Sequence, residues 1–307
     1  MQISDDPREE LWFGDSDPRR SYEEARRSLA AAIGRATGLK PFPAVVQQVL
    51  SRLQNADYRM GEVIELIGKD PALSAGFLRL ANSVLFRRLA ACDSIGAAVM
   101  RLGRQNVRDN VTAIAMLGMF REVKGYGMVV RNHCAGVAAV SRCLATEKNL
   151  RGADQVFLCG LLHDVGKLLC IETGEINYDV MSKETLASVD VVHDRERERL
   201  GYDHAVLAGH VLTAWRIPEP VPQVVAWHHQ PGRAYNVGGP VGMMVALLRL
   251  ADAIDSQLKQ DPSLSDAFIE QLAHGGEADY LGFSSSDLRA IRPVMLEART
   301  EVLSIFS

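Results

Sequence analysis

Apolar positions along this chain recur with the period of a helix. Val45, Val49 and Leu53 fall at i, i+4 and i+8, Val63, Ile64 and Ile67 mark a second apolar face, and Leu73, Phe77 and Leu80 a third. The punctuation agrees with the period. Asp70-Pro71 sets a side-chain acceptor for free N–H groups ahead of a proline suited to the first helical turn. Ser94 stands in the same relation to the face of Ile95, Val99 and Leu102, which Gly103 ends before Val107, Val111 and Ile114 resume the pattern. Ser21 to Glu24 offers a capping box to an Ala/Arg-rich helix running towards Gly38, and Leu39-Lys-Pro-Phe-Pro43 then breaks the chain. Period-two alternation is nowhere sustained and no repeat occurs at solenoid spacing, so the expected fold is all-α.

The same reading divides the chain. Residues 1–37 are expected to form a loose charged arm, with Trp12 and Phe13 as its apolar anchors, and a first helix. A helical subdomain follows over 38–125, a second helical set over 126–235 is set off by the linker around Lys124-Gly-Tyr-Gly127, and residues 236–307 supply closing helices.

Composition narrows the function. Hydrophobic residues make up 47% of 307 positions, enough for a substantial core. The 38 acidic and 34 basic residues give a net charge of -4 with no basic stripe, so DNA binding is not expected. The helix-Gly-helix corner in AVMRLGRQNVRDNV imitates a DNA-reading unit, but Arg101, Arg104 and Arg108 do not outweigh the acidic balance. Cys92, Cys134, Cys143, Cys159 and Cys170 sit in apolar contexts without a CxxC pair, as reduced core thiols do. With no secretory pattern and no apolar stretch of the ~20 residues a membrane span needs, the expected placement is cytoplasmic, without a membrane partner.

The segment VFLCGLLHDVGKLLC, Val156 to Cys170, is apolar on nearly every side and predicts a buried helix in which His163, Asp164 and Lys167 are the polar exceptions. Burying an uncompensated polar group costs roughly 2 to 7 kcal/mol and a charge more, so these side chains require partners. On a helix the adjacent pair would diverge by about 100°, which still lets both reach a pocket lying between them. An imidazole beside a carboxylate suits a metal edge, and a nitrogen/oxygen set without thiolates favours Mn, Fe, Zn or Mg. Further histidines follow in order: His133 opening a helix, His204 after Gly201-Tyr-Asp203, and His228-His229 ending the run Val221 to Trp227; Asp252 lies in LLRLADAID. His193, His210 and His274 fall outside this set. The alternating charges Arg195 to Arg199 predict a solvated helix laced by weak ion pairs, and a supporting role of Glu198 for His204 is conceivable but not expected.

The order His133, His163-Asp164, His204, His228-His229, Asp252 resembles the HD-domain superfamily of metal-dependent phosphohydrolases. Within it the segments LKPFPAVVQQVL, KDPALSAGFLRLANS, IGAAVMRLG, CGLLHDVGKLL and GYDHAVLAGHVLTAWRIPEPV look like landmarks of the HDOD family, from about Leu39 to Pro231. That resemblance implies a helical bundle followed by an HD-like helical domain, a role in bacterial signalling and regulation, and a protein partner in a signalling pathway. It also implies a mononuclear or dinuclear divalent site of Fe, Mn, Zn or Mg. His133, His163, Asp164 and Asp252 would hold one cation, and Asp164 would bridge to a second held by His204, His228 and His229. Lys167 matches a phosphate-contacting lysine, so a nucleotide or other phosphoester is the implied ligand. Two activities remain open: a regulatory module that senses a ligand or binds a protein, and a phosphohydrolase acting on a nucleotide or another phosphoester. A dinuclear-iron oxygenase needs only similar ligation, but nothing in the sequence identifies an oxidisable substrate. Related HD-GYP enzymes hydrolyse cyclic dinucleotides; here HHQPGRAYNVGG replaces the GYP signature, so hydrolysis of cyclic di-GMP is not expected.

Overall fold

The computed structural model describes residues 22–39, 43–55, 57–86, 91–120, 122–150, 152–181 and 189–306. The arm with Trp12 and Phe13, the Ser21 cap and residues 40–42 of the Leu39 to Pro43 break lie outside the described residues. The described residues contain helices and no strand, so the chain is all-α as its periodicity predicts. In chain order the helices are α1 (Tyr22–Leu39), α2 (Ala44–Gln54), α3 (Met60–Gly68), α4 (Pro71–Asn82), α5 (Ile95–Leu102), α6 (Val107–Met119), α7 (Tyr126–Glu147), α8 (Ala153–Leu162) and α9 (Val165–Glu172). Then come α10 (Val189–Leu200), α11 (His204–Ala214), α12 (Val221–Trp227), α13 (Pro231–Val237), α14 (Gly239–Leu258), α15 (Asp266–Ala273), α16 (Gly276–Leu281) and α17 (Ser285–Phe306). No described helix is long and apolar enough to cross a membrane.

The chain folds into two compact units. The first comprises Met1–Pro41, Val123–Arg131 and Leu162–Val245. Its α1 buries Ala25, Leu29, Ala32 and Ala36, a single stripe at helical spacing. That stripe serves packing against α11. Helix α11 buries residues on every side, from Ala205 to Leu212 with Gly209 among them, as an interior helix does, and it packs on α9 and α12 as well.

The second unit comprises Phe42–Glu122, Asn132–Leu161 and Ala246–Ser307. Here the predicted caps are in place. The Asp70 carboxylate accepts the Leu73 N–H at 2.9 Å, and the Ser94 hydroxyl accepts from Ala97 at 3.2 Å. Gly103 ends α5 at φ +92°, a conformation that side chains rarely adopt. Helix α4 packs on α5, α6 and α17 through a face that includes Leu73, Phe77 and Leu80. All five cysteines are buried free thiols.

A candidate metal centre

The apolar run Val156 to Cys170 is not one helix. Helix α8 ends at Leu162, α9 begins at Val165, and His163-Asp164 forms the turn between them, with Asp164 at φ −102° and ψ 9°. The expected continuous helix is thereby corrected, and α9 shows what the break accomplishes. A Cβ on Gly166 would stand 2.0 Å from the backbone carbonyl oxygen of His204, so α9 lies against the start of α11 at a distance only glycine allows. Asp164 stands at the N-cap of α9 but makes no side-chain cap hydrogen bond to it. Its Oδ2 lies 2.8 Å from Lys167 Nζ and 3.5 Å from His163 Nε2, while Oδ1 faces His204 Nε2 at 3.0 Å and His228 Nε2 at 3.9 Å.

Three imidazoles of the first unit converge on that carboxylate. His204 is the first residue of α11, below the Asp203 cap, which accepts from Val206 N at 3.0 Å. Its Nδ1 lies 2.6 Å from Glu196 Oε2, which also accepts the His204 backbone N–H at 2.8 Å. The other oxygen of Glu196 accepts the Tyr178 hydroxyl at 2.6 Å. His228, just past α12, has its Nδ1 2.7 Å from the Val225 carbonyl, and a carbonyl can only accept, so Nδ1 carries the proton. His229 Nε2 stands 3.0 Å from His204 Nε2, and the His163 ring meets the His228 ring edge-on with centroids 5.2 Å apart. One ligand atom from each of Asp164, His204, His228 and His229 lies within 4.8 Å of the others.

The electrostatics follow from this crowding. Burial opposes ionisation of Asp164, but Lys167, His163 and His204 outweigh it and hold the carboxyl well below the usual carboxylate range. Burial likewise disfavours a charged His204, yet the Glu196 and Asp164 carboxylates prevail and raise it to about 9. For His228 and His229, burial and the neighbouring imidazoles outweigh the pull of Asp164 and push both well below the ordinary histidine value.

Glu196 is fully buried, against the expectation of a solvated helix over Arg195 to Arg199, and it takes the supporting role sketched for Glu198, which is exposed. The signal was present in the spacing: Val192, four residues earlier on α10, is buried on the same face.

In the second unit His133 sits inside α7, not at its start as expected, and engages two carboxylates of α14. Its Nε2 is 2.9 Å from Asp252 Oδ1 and its Nδ1 2.6 Å from Asp255 Oδ2. Asp255 is fully buried and also accepts Arg299 Nε at 2.6 Å. Burial and Lys259 work against a charged His133, and Asp252 and Asp255 raise its pKa all the same. Sequence reasoning missed Asp255, although it lies three residues after Asp252 and hence one turn along the same face. Of the remaining histidines, the His193 ring lies 5.3 Å from that of His229, His210 is carried by α11, and His274 Nδ1–H donates to the Glu270 carbonyl at 2.7 Å.

The first unit's donor set fits a divalent cation. Three imidazoles and one carboxylate oxygen form a nitrogen/oxygen site without thiolate. The Nδ1 contacts of His204 and His228 turn Nε2 of each ring inward. Asp164 Oδ1 is buried and accepts no directed hydrogen bond, despite its 3.0 Å approach to His204. Buried carboxylate oxygens rarely go without one, and a cation among these four groups would meet that need.

The sequence matches the HDOD domain over residues 39–231, more than half of the chain, and the protein belongs to that family. An uncharacterized protein of Treponema pallidum (strain Nichols) is 24% identical over 226 residues, 72% of this chain and 44% of that protein, so the chain spans less than half of that relative's length. The fold is similar to the crystal structure of a Shewanella amazonensis SB2B protein provisionally described as a phosphohydrolase, with 25% identity, a TM-score of 0.71 and coverage of 91% of this chain and 98% of that one. It is similar, too, to an HDOD domain protein of unknown function from Geobacter sulfurreducens, at 21% identity, a TM-score of 0.67 and coverage of 91% and 98%.

Proposed function

We propose that this HDOD protein is a regulatory protein whose Asp164, His204, His228 and His229 hold a divalent cation, and whose loaded pocket recognises a nucleotide or another phosphoester on behalf of a protein partner in a signalling pathway. The observation that carries this reading is the buried Asp164 Oδ1 facing the Nε2 atoms of His204 and His228 without a directed hydrogen bond. Three imidazoles favour Fe, Mn or Zn over Mg, which prefers oxygen. A bound cation supplies Lewis-acid polarisation of a phosphoryl oxygen. The chain's own contribution is the Lys167 ammonium, buried 2.8 Å from Asp164, which adds positive charge beside a phosphate, and His163, whose ring buttresses His228. His133 and Asp252 offer a further imidazole-carboxylate pair in the second unit, with Asp255 orienting the ring. Buried free thiols support a reducing, cytoplasmic setting.

The second reading is metal-dependent hydrolysis of a phosphoester, favoured by the likeness to the Shewanella protein at 25% identity. Metal content after chelator-free purification tests the common premise. The parent should carry near-stoichiometric metal, and folded Asp164→Ala and His204→Ala variants should lose it; sub-stoichiometric metal in the parent sinks both readings. A nucleotide and phosphodiester panel then separates them, since tight binding without turnover supports regulation and metal-dependent turnover supports hydrolysis.

A further inference from the structure

Glu196 is a carboxylate with no exposed surface on a helix whose neighbouring charges, Arg195 and Glu198, are exposed. A charge so placed is tolerated only when its oxygens are satisfied, and here each partner is specific. Tyr178 donates to Oε1, and Oε2 takes two contacts from one residue, the backbone N–H and the Nδ1 of His204. The backbone bond alone would cap the start of α11. The second contact does something a cap does not require: it fixes the ring. Turning the imidazole over would place carbon against Oε2 and cost that buried oxygen one of its two contacts, so Nδ1 stays with Glu196 and Nε2 stays aimed at Asp164 Oδ1 and His229 Nε2, each 3.0 Å away. Val225 performs the same service for His228 with a neutral carbonyl. A carboxylate adds negative charge, and that raises the donor strength of the opposite nitrogen.

We propose that Glu196 is a positioning residue for the metal ligand His204, holding its ring orientation and Nδ1–H form, and that Tyr178 holds Glu196 in turn. This role rests on the metal-centre reading above. Glu196→Gln keeps the shape and can still accept the backbone N–H, while removing the charge. In the full-length protein, Zn2+ affinity measured by competition with a chromophoric chelator should fall about 10- to 100-fold in Glu196→Gln, with helical content unchanged. The far-downfield Nδ1–H proton resonance of His204, assigned by long-range nitrogen correlation, should move upfield in the same variant. Tyr178→Phe, which leaves both His204 contacts in place, should weaken Zn2+ by roughly three- to tenfold and serves as the second variant if Glu196→Gln fails to fold. A parent that binds no Zn2+ overturns the metal centre and this role with it. A parent that binds Zn2+ while Glu196→Gln or Tyr178→Phe matches it within twofold overturns the positioning role alone.

Discussion

Asp255 Oδ1 stands 1.9 Å from the point where a side chain at Gly136 would begin. Gly136 lies three residues after His133 on α7, so the same turn that presents the imidazole also leaves room for the carboxylate that grips it. Asp255 cannot swing aside freely, because His133 and Arg299 each hold it at 2.6 Å. Gly136→Ala should therefore destabilise the fold by about 1–3 kcal/mol in urea unfolding. Gly34→Ala is the matched control: the site is exposed and helical with nothing within 4 Å, so alanine should stabilise by about 0.5–1 kcal/mol. Equal responses from the two glycines would show that the Asp255 contact is not as tight as the geometry states.

Lys167 and Asp164 form a buried ion pair, 2.8 Å apart with 9% and 4% of their side chains exposed. Removing one partner strands the other charge. With a chelator present to exclude metal effects, Asp164→Ala should cost about 3–5 kcal/mol, and the double variant Asp164→Ala/Lys167→Met should recover a large part of that loss. Additive losses in the two single variants and the double variant would mean that the charges do not depend on each other.

Helix starts were legible where local chemistry decides them. Asp70 and Ser94 cap as their sequences indicate, and Gly103 stops α5 with a backbone that favours glycine. The break at His163-Asp164 was not legible. A run that is apolar on every side has no polar face to mark an interruption, and the close approach of Gly166 to the His204 carbonyl that accompanies the break is a tertiary contact no local pattern records. Glu196 was obscured for the opposite reason: inside a run of alternating charges its i+4 spacing from Val192 is a weak sign of burial, and its partners Tyr178 and His204 come together only in the fold. At the candidate centre, sequence order supplied the imidazoles and the carboxylate, while the groups orienting them emerged only from packing.

Asp109 supplies a pH test away from the metal-type residues. Burial, with a contribution from Asp154 and against the pull of Arg108, raises its carboxyl to about 6 from the ordinary 3.8. Between those values the unfolded chain has released the proton and the folded protein still binds it. Stability from this group therefore falls as pH rises from about 4 to 6 and stays lower above. Asp109→Asn removes the ionisation, and should stabilise by on the order of 2 kcal/mol at pH 8, allowing for partial exposure, with the gain gone by about pH 3.5. Urea titrations at the two pH values check it, and a gain independent of pH would assign the effect to packing instead.

Gly166 joins fold and site most directly, because its neighbour across the α9–α11 contact is the backbone of His204 itself. A Cβ there would meet the His204 carbonyl oxygen at 2.0 Å and its carbonyl carbon at 2.7 Å, both backbone atoms that cannot rotate away as a side chain can. The start of α11 would have to move, and His204 is tied by two contacts to the buried Glu196. Gly166→Ala should therefore do two things at once: destabilise by about 1–3 kcal/mol or more, and weaken Zn2+ binding even in molecules that remain folded. Gly76→Ala separates these effects. Its added Cβ would meet the Ile114 side chain first, at 2.4 Å in the second unit, so it should lower stability by a similar overpacking cost with no local route to His204. Zn2+ affinity measured on the folded fraction of both variants decides the point, and parent-like affinity in Gly166→Ala would show that the α9–α11 approach is not what sets the His204 position.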